Sequence, residues 1–329
     1  MAIGAAEVAG QECAGGRVLL MLSDALNASI LRLLAHGALP VTQLQDRMGP
    51  ISRTTRFGRL RELEELGVIV REKEGGTPPL THCMLSPAGR ELLMVLRRLR
   101  HWLAEHPTGT ASEGDLLGAV ETKALALGWN STIVRWLAEQ PCSLTALDAQ
   151  SPPEVSYHGL RKARRALSDT GLIAGVPSGD RRKPYEPTAW MRRAVGSLAA
   201  AVRWERDFLP DTGTRSIALE AETLLLLLAA APGEMPEELN GTCTLRLGDS
   251  AEISIGVSEG RIAWFAAEQN SQAESKISGS LDAWLDALVE RKTVDLRMEG
   301  GLRLTTGLLT SLLDPLFAPT ETESYRCSA

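Results

Sequence analysis

The most constraining feature of this chain is an internal repeat. At a shift of about 104 residues, segment 51–69 lies over segment 155–173, and both begin with an apolar residue and serine and end with glycine, an apolar residue and isoleucine. Upstream, residues 30–34 match residues 133–137 at nearly the same shift. Self-similarity at a fixed spacing indicates that one folding unit occurs more than once. The sequence therefore predicts two related units in tandem.

Each copy contains a stretch of about fourteen residues with helical periodicity, preceded by a serine. Ser52 and Ser156 are suitable N-caps, because their hydroxyl groups can accept hydrogen bonds from backbone amides one turn into the helix. Gly67 and Gly171 follow these stretches, where a left-handed helix end favours glycine. The apolar residues expected to form buried stripes are Phe57, Leu60, Leu63 and Leu66 in the first copy and Leu160, Ala163 and Leu167 in the second.

A β-hairpin and a further helix are predicted after each glycine. Short β-type runs at 68–70 and 172–174 lead into turns rich in glycine and proline, and a return strand follows each turn. The last helix of each copy is expected from 87 to about 104 and from 188 to about 208. Helices, a capped helix and a hairpin in this order predict a winged helix-turn-helix in each copy.

The first copy contains Ile30-Leu31, Ile51-Ser52, the run 59–64, Gly67, Arg71, the run 85–89 and Trp102. With these residues it resembles HxlR-type bacterial transcriptional regulators over nearly the whole unit. The second copy is more divergent and keeps the run 183–188 and Trp204. Arg56 and Arg164 stand where the family usually has leucine, so Phe57 and Ala163 are expected to complete the inner helix faces. The resemblance implies double-stranded DNA as partner and homodimers that place two recognition helices about 34 Å apart.

The outward faces of the two capped helices are the candidate DNA-binding surfaces. Arginine can form a bidentate hydrogen bond to guanine or neutralise a phosphate. The alternative is that these residues bind nothing and only form a solvated helix face. The hairpin tip of the second copy adds three adjacent cations suited to phosphate contact. The candidate residues are Ser52, Arg53, Thr54, Thr55, Arg56 and Arg59 in the first copy, Ser156, Tyr157, His158, Arg161, Lys162 and Arg165 in the second, and Arg181, Arg182 and Lys183 in the second hairpin.

Charge is distributed unevenly along the chain. Residues 17–107 carry a net charge of +4 and residues 108–210 a net charge of +2, whereas residues 211–329 carry −10. This asymmetry is typical of a nucleic-acid-facing part joined to a different module. The two units could pair within one chain through the helices that end at Trp102 and Trp204. Because their recognition helices differ in sequence, the expected DNA target is not a perfect palindrome.

The acidic last third follows another pattern. A helix with Leu219 and residues 224–228 is expected first, followed by strands with period-two alternation and helices near 280–290 and 306–317. The strand residues expected on one face are Cys243, Leu245 and Leu247; Ile253, Ile255 and Val257; Ile262, Trp264 and Ala266; and Val294, Leu296 and Met298. A sheet with one apolar face must bury that face, and the predicted helices can cover it, so the pattern predicts an α+β fold.

Four short motifs in this third, 239–241, 258–260, 279–285 and 300–304, resemble the sterol carrier protein type 2 fold. The resemblance implies an apolar tunnel and an apolar small-molecule effector. The glycine usual after the tryptophan-containing helix is absent, and Leu308 stands where a polar residue is usual. The same side chains could instead be a packed core or a dimer surface. The candidate lining residues are Ile255, Trp264, Trp284, Leu312 and Leu316.

Catalytic and metal-binding patterns are missing from the sequence. Its five cysteines include no C-x-x-C pair, its five histidines have no metal-ligand spacing, and no P-loop or nucleophile motif occurs. We therefore expect no enzyme activity, no cofactor and no metal. The longest apolar run has eight residues and the N-terminus lacks a signal-like pattern, so a cytoplasmic location without membrane contact is expected. Cys13 is either an oxidant sensor or an incidental cysteine.

The predicted fold class is a multi-domain protein, mainly α with α+β: two winged helix-turn-helix domains followed by an α+β sterol-carrier-like domain. The predicted divisions are a flexible N-terminal segment (1–16), the two winged domains (17–107 and 108–210), the sterol-carrier-like domain (211–318) and a tail (319–329). The predicted function is a transcriptional regulator that acts as a monomeric pseudo-dimer or a homodimer, with a C-terminal domain for effector binding or assembly. The alternative is a lipid carrier whose winged helices form a protein-interaction scaffold.

Overall fold

The first unit, residues 14–108, is a helical frame with a small antiparallel sheet. A computed structural model of the protein describes residues 14–75, 80–108, 120–127, 130–151, 155–177, 183–209, 217–249, 251–266 and 273–317. The elements of the first unit are α1 (Gly16–Leu22), α2 (Ala25–Leu34), β1 (Leu39–Pro40), α3 (Val41–Arg47), α4 (Arg53–Glu65), β2 (Ile69–Glu74), β3 (Leu80–Leu85) and α5 (Pro87–Ala104). Its sheet has the order β1-β3-β2.

Side-chain caps fix where the helices of this unit begin. The carboxylate of Asp24 accepts from two backbone amides of α2, and the hydroxyl groups of Ser52 and Ser86 each accept from an amide of α4 and α5. Gly67 ends α4 with a φ of +69°, which an L side chain rarely adopts. The predicted Ser52 cap and Gly67 terminus are both confirmed.

The second unit, residues 120–209, has a similar order of elements, with the single bridge residue Cys142 where the first unit has β1 and with its last helical segment divided in two. Its elements are α6 (Val120–Ala126), α7 (Asn130–Glu139), α8 (Leu144–Gln150), α9 (Tyr157–Asp169), β4 (Ile173–Gly175), β5 (Tyr185–Pro187), α10 (Ala189–Arg193) and α11 (Val195–Phe208). Hydrogen bonds recur at the repeat spacing: the side-chain amides of Asn27 and Asn130 each donate to the carbonyl oxygen six residues earlier, on Met21 and Ala124. Gly171, with a φ of +70°, takes the place of Gly67.

The two units pack together through α5 and α11. The indole nitrogen of Trp102 donates to the carbonyl oxygen of Trp190 at 2.8 Å, and that of Trp204 donates to the carbonyl oxygen of Ala88 at 2.8 Å. Trp102 and Trp190 also stack, with ring centroids 4.4 Å apart. Trp102 near the end of α5 thus bonds to α10, which directly precedes α11, and Trp204 near the end of α11 bonds to the start of α5, so α5 and α11 run antiparallel.

The N-terminal helix extends this contact. Helix α1 packs against α6 and α11 of the second unit, and the backbone amide of Val18 donates to the carboxylate of Glu205 at 2.8 Å. Residues 16–22 therefore bridge both units, and buried side chains form one continuous apolar core across them.

The third part, residues 217–317, is a five-stranded sheet with helices on one face. Its elements are α12 (Ile217–Ala229), β6 (Gly241–Leu247), β7 (Ala251–Ser258), β8 (Arg261–Ala266), β9 (Ser275–Gly279), α13 (Leu281–Glu290), β10 (Arg297–Glu299) and α14 (Leu302–Phe317). The strand order is β10-β9-β6-β7-β8, in which β6 and β9 are parallel. Alternate residues of β6 and β7, among them Leu245, Ile253 and Ile255, are fully buried beneath the helices, as predicted.

Two expectations about these strands are wrong. Val294 lies in a turn and is 87% exposed, because the last strand is only the short β10; the parallel strand β9 was not predicted. Trp264 does not share a face with Ile262. Ile262 pairs with Val257 and Trp264 pairs with Gly256, which leaves Ala263 as the extra residue of a β-bulge and reverses the alternation.

The bulge also changes the predicted ligand site. The indole of Trp264 covers Gly256 on the outer face of the sheet and is 43% exposed, whereas Ile255 points to the inner face. Trp284, Leu312 and Leu316 are at most 2% exposed within the core, where the Trp284 indole nitrogen donates to the carbonyl oxygen of Arg246. Trp264 therefore does not line a cavity together with the other four predicted residues, because it lies on the opposite face of the sheet.

Helix α12 joins the third part to the second unit. Its leucines 224–228 are at most 1% exposed, because the helix lies between the sheet on one side and α7 and α11 on the other. Arg135 of α7 donates to the carboxylate of Glu222 at 2.8 Å, and Arg206 of α11 forms an ion pair with Asp286. Within the described ranges, no helix combines the length and apolar character that a bilayer crossing requires.

Candidate nucleic-acid interface

Helix α4 presents a polar face at the surface of the first unit. Leu60 and Leu63 are buried and hold the helix on the frame, which leaves Arg53, Thr54 and Thr55 exposed in the first turn. The Ser52 hydroxyl group accepts from the Thr55 amide at 3.1 Å and lies 2.7 Å from the Thr55 hydroxyl group. The first turn of α4 is thus rigidly capped and accessible to a ligand.

Two predicted DNA contacts on α4 are engaged inside the protein. The Arg56 guanidinium donates to the carbonyl oxygen of Gly49 at 2.8 Å. The Arg59 guanidinium donates to Asp24 at 2.6 Å and to Glu62 at 2.5 Å. Because Asp24 also caps α2, Arg59 links the start of α2 to the middle of α4. These two arginines position the helix, and Arg53 is the predicted cation that extends from its exposed first turn.

The prediction of the buried face of α4 is only partly correct. Phe57 and Leu66 are 39% and 38% exposed, and the Arg53 guanidinium lies 5.4 Å from the centroid of the Phe57 ring. Phe57 does not replace the missing leucine, because Arg56 is itself half-buried at this position, where it donates a hydrogen bond to the Gly49 carbonyl oxygen.

Helix α9 offers a larger cationic face. Its inner face is formed by Leu160 and Leu167, and Ser156 caps it by accepting from the Gly159 amide at 3.1 Å. Arg164 packs inward on Tyr185, donating to its hydroxyl group at 3.0 Å, and Ala163 is half-buried. The predicted contacts that are exposed on this helix are Tyr157, His158, Arg161, Lys162 and Arg165.

The two helix faces differ in charge. Helix α4 carries four arginines and three glutamates, whereas α9 carries four cations and a single aspartate at its last residue. The Arg165–Asp169 pair is 3.4 Å long with both side chains mostly exposed, so it competes weakly with an external anion. By formal charge, α9 is therefore the more positive of the two helices.

The hairpins that follow these helices are also distinct. Arg71 on β2 pairs with Glu64 on α4, and this hydrogen bond lowers the pKa of Glu64. The pair ties the first hairpin to the helix, a link that the charge-balanced sequence 71–74 did not reveal. In the second hairpin Lys183 is exposed, while Arg181 and Arg182 lie outside the described residues.

The cysteines described are not suited to redox chemistry. Cys83, Cys142 and Cys243 are buried, and burial raises the pKa of Cys83 to about 11 and that of Cys243 to about 12. Cys13, the predicted sensor candidate, lies outside the described residues. Among the residues with described coordinates, no group of three or more histidine, cysteine or acidic side chains is arranged to hold a metal ion.

A capped helix with an exposed polar face, held on a helical frame and followed by a two-stranded hairpin, is the arrangement of a helix-turn-helix domain. Residues 21–109, from the end of α1 through α5, match the HxlR-like helix-turn-helix family. No curated protein matches the chain. The family match supports a DNA-binding transcriptional regulator.

Proposed function

We propose that this protein regulates transcription by binding duplex DNA with both units, which act as an intramolecular pseudo-dimer. The observation that carries this proposal is the reciprocal pair of indole hydrogen bonds from Trp102 and Trp204. A two-fold axis relating the units would exchange these donors and their acceptors. HxlR-type regulators use two recognition helices in a homodimer, and a repeated unit in one chain supplies both.

The second unit is proposed to be a second winged helix that reads a different half-site. Its support is the repeated order of elements and the exposed cations of α9. Arg53 and the threonines of α4 differ chemically from Tyr157 and His158 of α9, so the two helices would favour different bases. The operator is therefore proposed to be non-palindromic, with α9 contributing more phosphate attraction than α4.

The third part is proposed to hold the assembled units of the chain together rather than to carry an effector. Support comes from α12, whose leucines fill the space between the sheet and the second unit, and from the Arg135–Glu222 pair. Four of the five residues predicted to line a pocket pack in the core. By covering α7 and α11, helix α12 would hold the second unit in a fixed position relative to the first. We further propose that the protein acts by binding and carries out no catalysis.

The test begins with duplexes selected from a random 40-base-pair pool by the intact protein. Footprinting on the selected duplex is expected to show one chain covering two unlike half-sites. Arg161→Gln and Arg53→Gln should each weaken binding, and loss of one phosphate contact should lower the slope of log K against log salt by about 1. Arg297→Gln, an exposed substitution on β10, is the matched control and should leave the slope unchanged.

Two results would contradict this proposal. A strictly two-fold symmetric footprint that requires two chains would remove the pseudo-dimer, although a DNA-binding function would remain. Absence of any salt-dependent duplex binding, together with lipid recovered by solvent extraction of the purified protein, would instead favour the carrier function.

A further inference from the structure

One edge of the sheet in the third part is open. Strand β10 stands first in the order β10-β9-β6-β7-β8, so it pairs with β9 on one side and with no other described strand. Alternate backbone amide and carbonyl groups of an edge strand face away from the sheet and can pair with a further strand. Strand β10 consists of Arg297, Met298 and Glu299, and its two charged residues are exposed.

The charges of β10 lie on the face of the sheet that carries no helices. Met298 is half-buried and pairs with Ile277 of β9, which is fully buried beneath the helices. Directly paired residues project to the same side of a sheet and side chains alternate along a strand, so Arg297 and Glu299 project together on the other side. Neither forms an ion pair with a described residue, although Lys276 of β9 is the register partner of Glu299. Both charges can therefore meet a partner.

The order of the two charges makes this edge complementary to itself. When two copies of β10 pair antiparallel about Met298, Arg297 of each copy lies opposite Glu299 of the other. Registers centred on Arg297 or on Glu299 would instead place like charges opposite each other, which is destabilising. An edge with charges of a single sign repels its own copy, and β10 lacks that protection.

Two exposed apolar side chains flank β10. Val294, in the turn before the strand, is 87% exposed, and Leu302, the first residue of α14, is 69% exposed. Among the described large apolar side chains, none is more exposed than Val294. In an antiparallel pair the residues that precede one strand lie beside those that follow the other, so Val294 of each copy would approach Leu302 of the other. Asp295 and Arg303, both exposed, would meet in the same way.

We propose that β10 is a self-association edge, through which two copies of this chain join their sheets into one continuous sheet. A second copy is the occupant because it supplies the opposite charges and the apolar contacts in a single register. Self-association does not depend on DNA binding. If the proposed function holds, the joined chains would present two pairs of DNA-reading units.

The edge is short, so the association is expected to be reversible. Three strand residues and a few flanking side chains form a small contact, and interfaces that bury less than about 1,200 Å² belong to the transient class. The chain would therefore be monomeric at the much lower concentrations of a duplex titration. There, Arg297→Gln affects no contact between chains and remains a suitable control.

Sedimentation velocity of the full chain without DNA tests the proposal, at concentrations from about 1 μM to about 300 μM, where a transient interface associates. The wild-type chain is expected to shift from monomer to dimer as its concentration rises. Arg297→Glu and Glu299→Arg should each weaken the dimer by about tenfold or more, because each places like charges opposite each other twice. An equimolar mixture of these two variants should dimerise again, since every charge then faces an opposite one, and so should the double variant.

Arg261→Glu, the same change on the opposite edge strand β8, is the matched control and should dimerise as the wild-type chain does. Circular dichroism verifies that each variant folds. The proposal is overturned if the wild-type chain stays monomeric throughout, if either reversal on β10 leaves the dimer intact, or if the mixture stays monomeric. Loss of the dimer in Arg261→Glu alone would place the contact at β8 and overturn it as well. Because no DNA is present, failure of the edge is distinguishable from failure of the proposed regulator.

Discussion

Trp102 and Trp204 occupy matching places in the two units and bond in matching ways. Each indole nitrogen donates at 2.8 Å to a carbonyl oxygen near the start of the other unit's last helical segment. The acceptors, on Trp190 and Ala88, are themselves second in their helices, after the capping residues Thr188 and Ser86. The interface between the units is therefore approximately two-fold symmetric at the level of single hydrogen bonds.

Loss of this bond should destabilise the whole chain. Trp102→Phe keeps an aromatic ring but leaves the buried carbonyl of Trp190 without its indole donor, which costs about 1–3 kcal/mol. Urea unfolding at pH 7 measures the difference. Trp264→Phe, at the exposed outer face of the sheet, is the control and should change the free energy of unfolding by less than about 0.5 kcal/mol. Equal losses in both variants would argue against a stabilising role for the Trp102 bond.

Substitution of alanine for two helical glycines, Gly89 and Gly58, should change the free energy of unfolding in opposite directions. A Cβ atom at Gly89 on α5 would come within 2.0 Å of the carbonyl oxygen of Val68, so Gly89→Ala must separate α5 from the strand segment beneath it. At Gly58 on α4 a Cβ atom meets nothing within 4 Å. We expect Gly89→Ala to lower the free energy of unfolding by about 1–3 kcal/mol.

Gly58→Ala is the matched substitution and should raise the free energy of unfolding by up to about 1 kcal/mol, because alanine is the better helix former. Thermal and urea unfolding of the two variants provide the measurement. A stabilising Gly89→Ala would mean that α5 does not approach the Val68 backbone as closely as described.

The ion pair between Glu64 and Arg71 should make the free energy of unfolding depend on pH. Its hydrogen bond lowers the pKa of Glu64 in the folded protein, so the pair stabilises the fold above the unfolded pKa and loses this effect as the pH falls through the folded pKa. Both side chains are about one third exposed, which limits the contribution at pH 7 to about 0.5–1 kcal/mol.

Unfolding of wild type and Glu64→Gln from pH 7 to pH 2 tests this prediction. The difference between the two should be largest at neutral pH and should approach zero at the acid end. Glu72→Gln, an exposed substitution on the same hairpin that leaves the Glu64–Arg71 pair in place, serves as the control. If the difference in free energy of unfolding between wild type and Glu64→Gln stays constant down to pH 2, the ion pair is excluded as its cause.

The buried thiols should react slowly in the folded chain. With a pKa of about 11 for Cys83 and about 12 for Cys243, their thiolate fraction at pH 8 is on the order of one in a thousand or less. In a Cys13→Ser, Cys327→Ser variant, a thiol-specific disulfide reagent should label almost nothing within minutes, and three thiols after denaturation. Rapid labelling of any thiol in the native variant would show that its site opens frequently.

Local sequence signals predicted much of the frame. Ser52 and Ser156 cap helices, Gly67 and Gly171 end them, and α12, α13 and α14 begin and end close to where the periodicity indicates. These features depend on residues within one or two turns of each other, so their physical causes are present in a short stretch of chain. The repeat extended the same reasoning from the first unit to the second.

The roles of individual arginines were harder to predict. Arg53, Arg56 and Arg59 follow one another on α4, yet only Arg53 is exposed, since Gly49 and Asp24 hold the other two. The partner of Arg59 lies 35 residues away, and helical periodicity gives no information about such a distant carboxylate.

By itself, the sequence determined the repeat, the capped helices and the alternation of β6 and β7, because each follows from the period and capping chemistry of neighbouring residues. Only the tertiary structure decided that Trp102 bonds across the interface, that a bulge at Ala263 turns Trp264 outward, and that α12 fills the space beside α7. Each of these depends on which surfaces meet after the chain has folded, and burial and hydrogen-bond satisfaction between residues far apart in sequence select that arrangement.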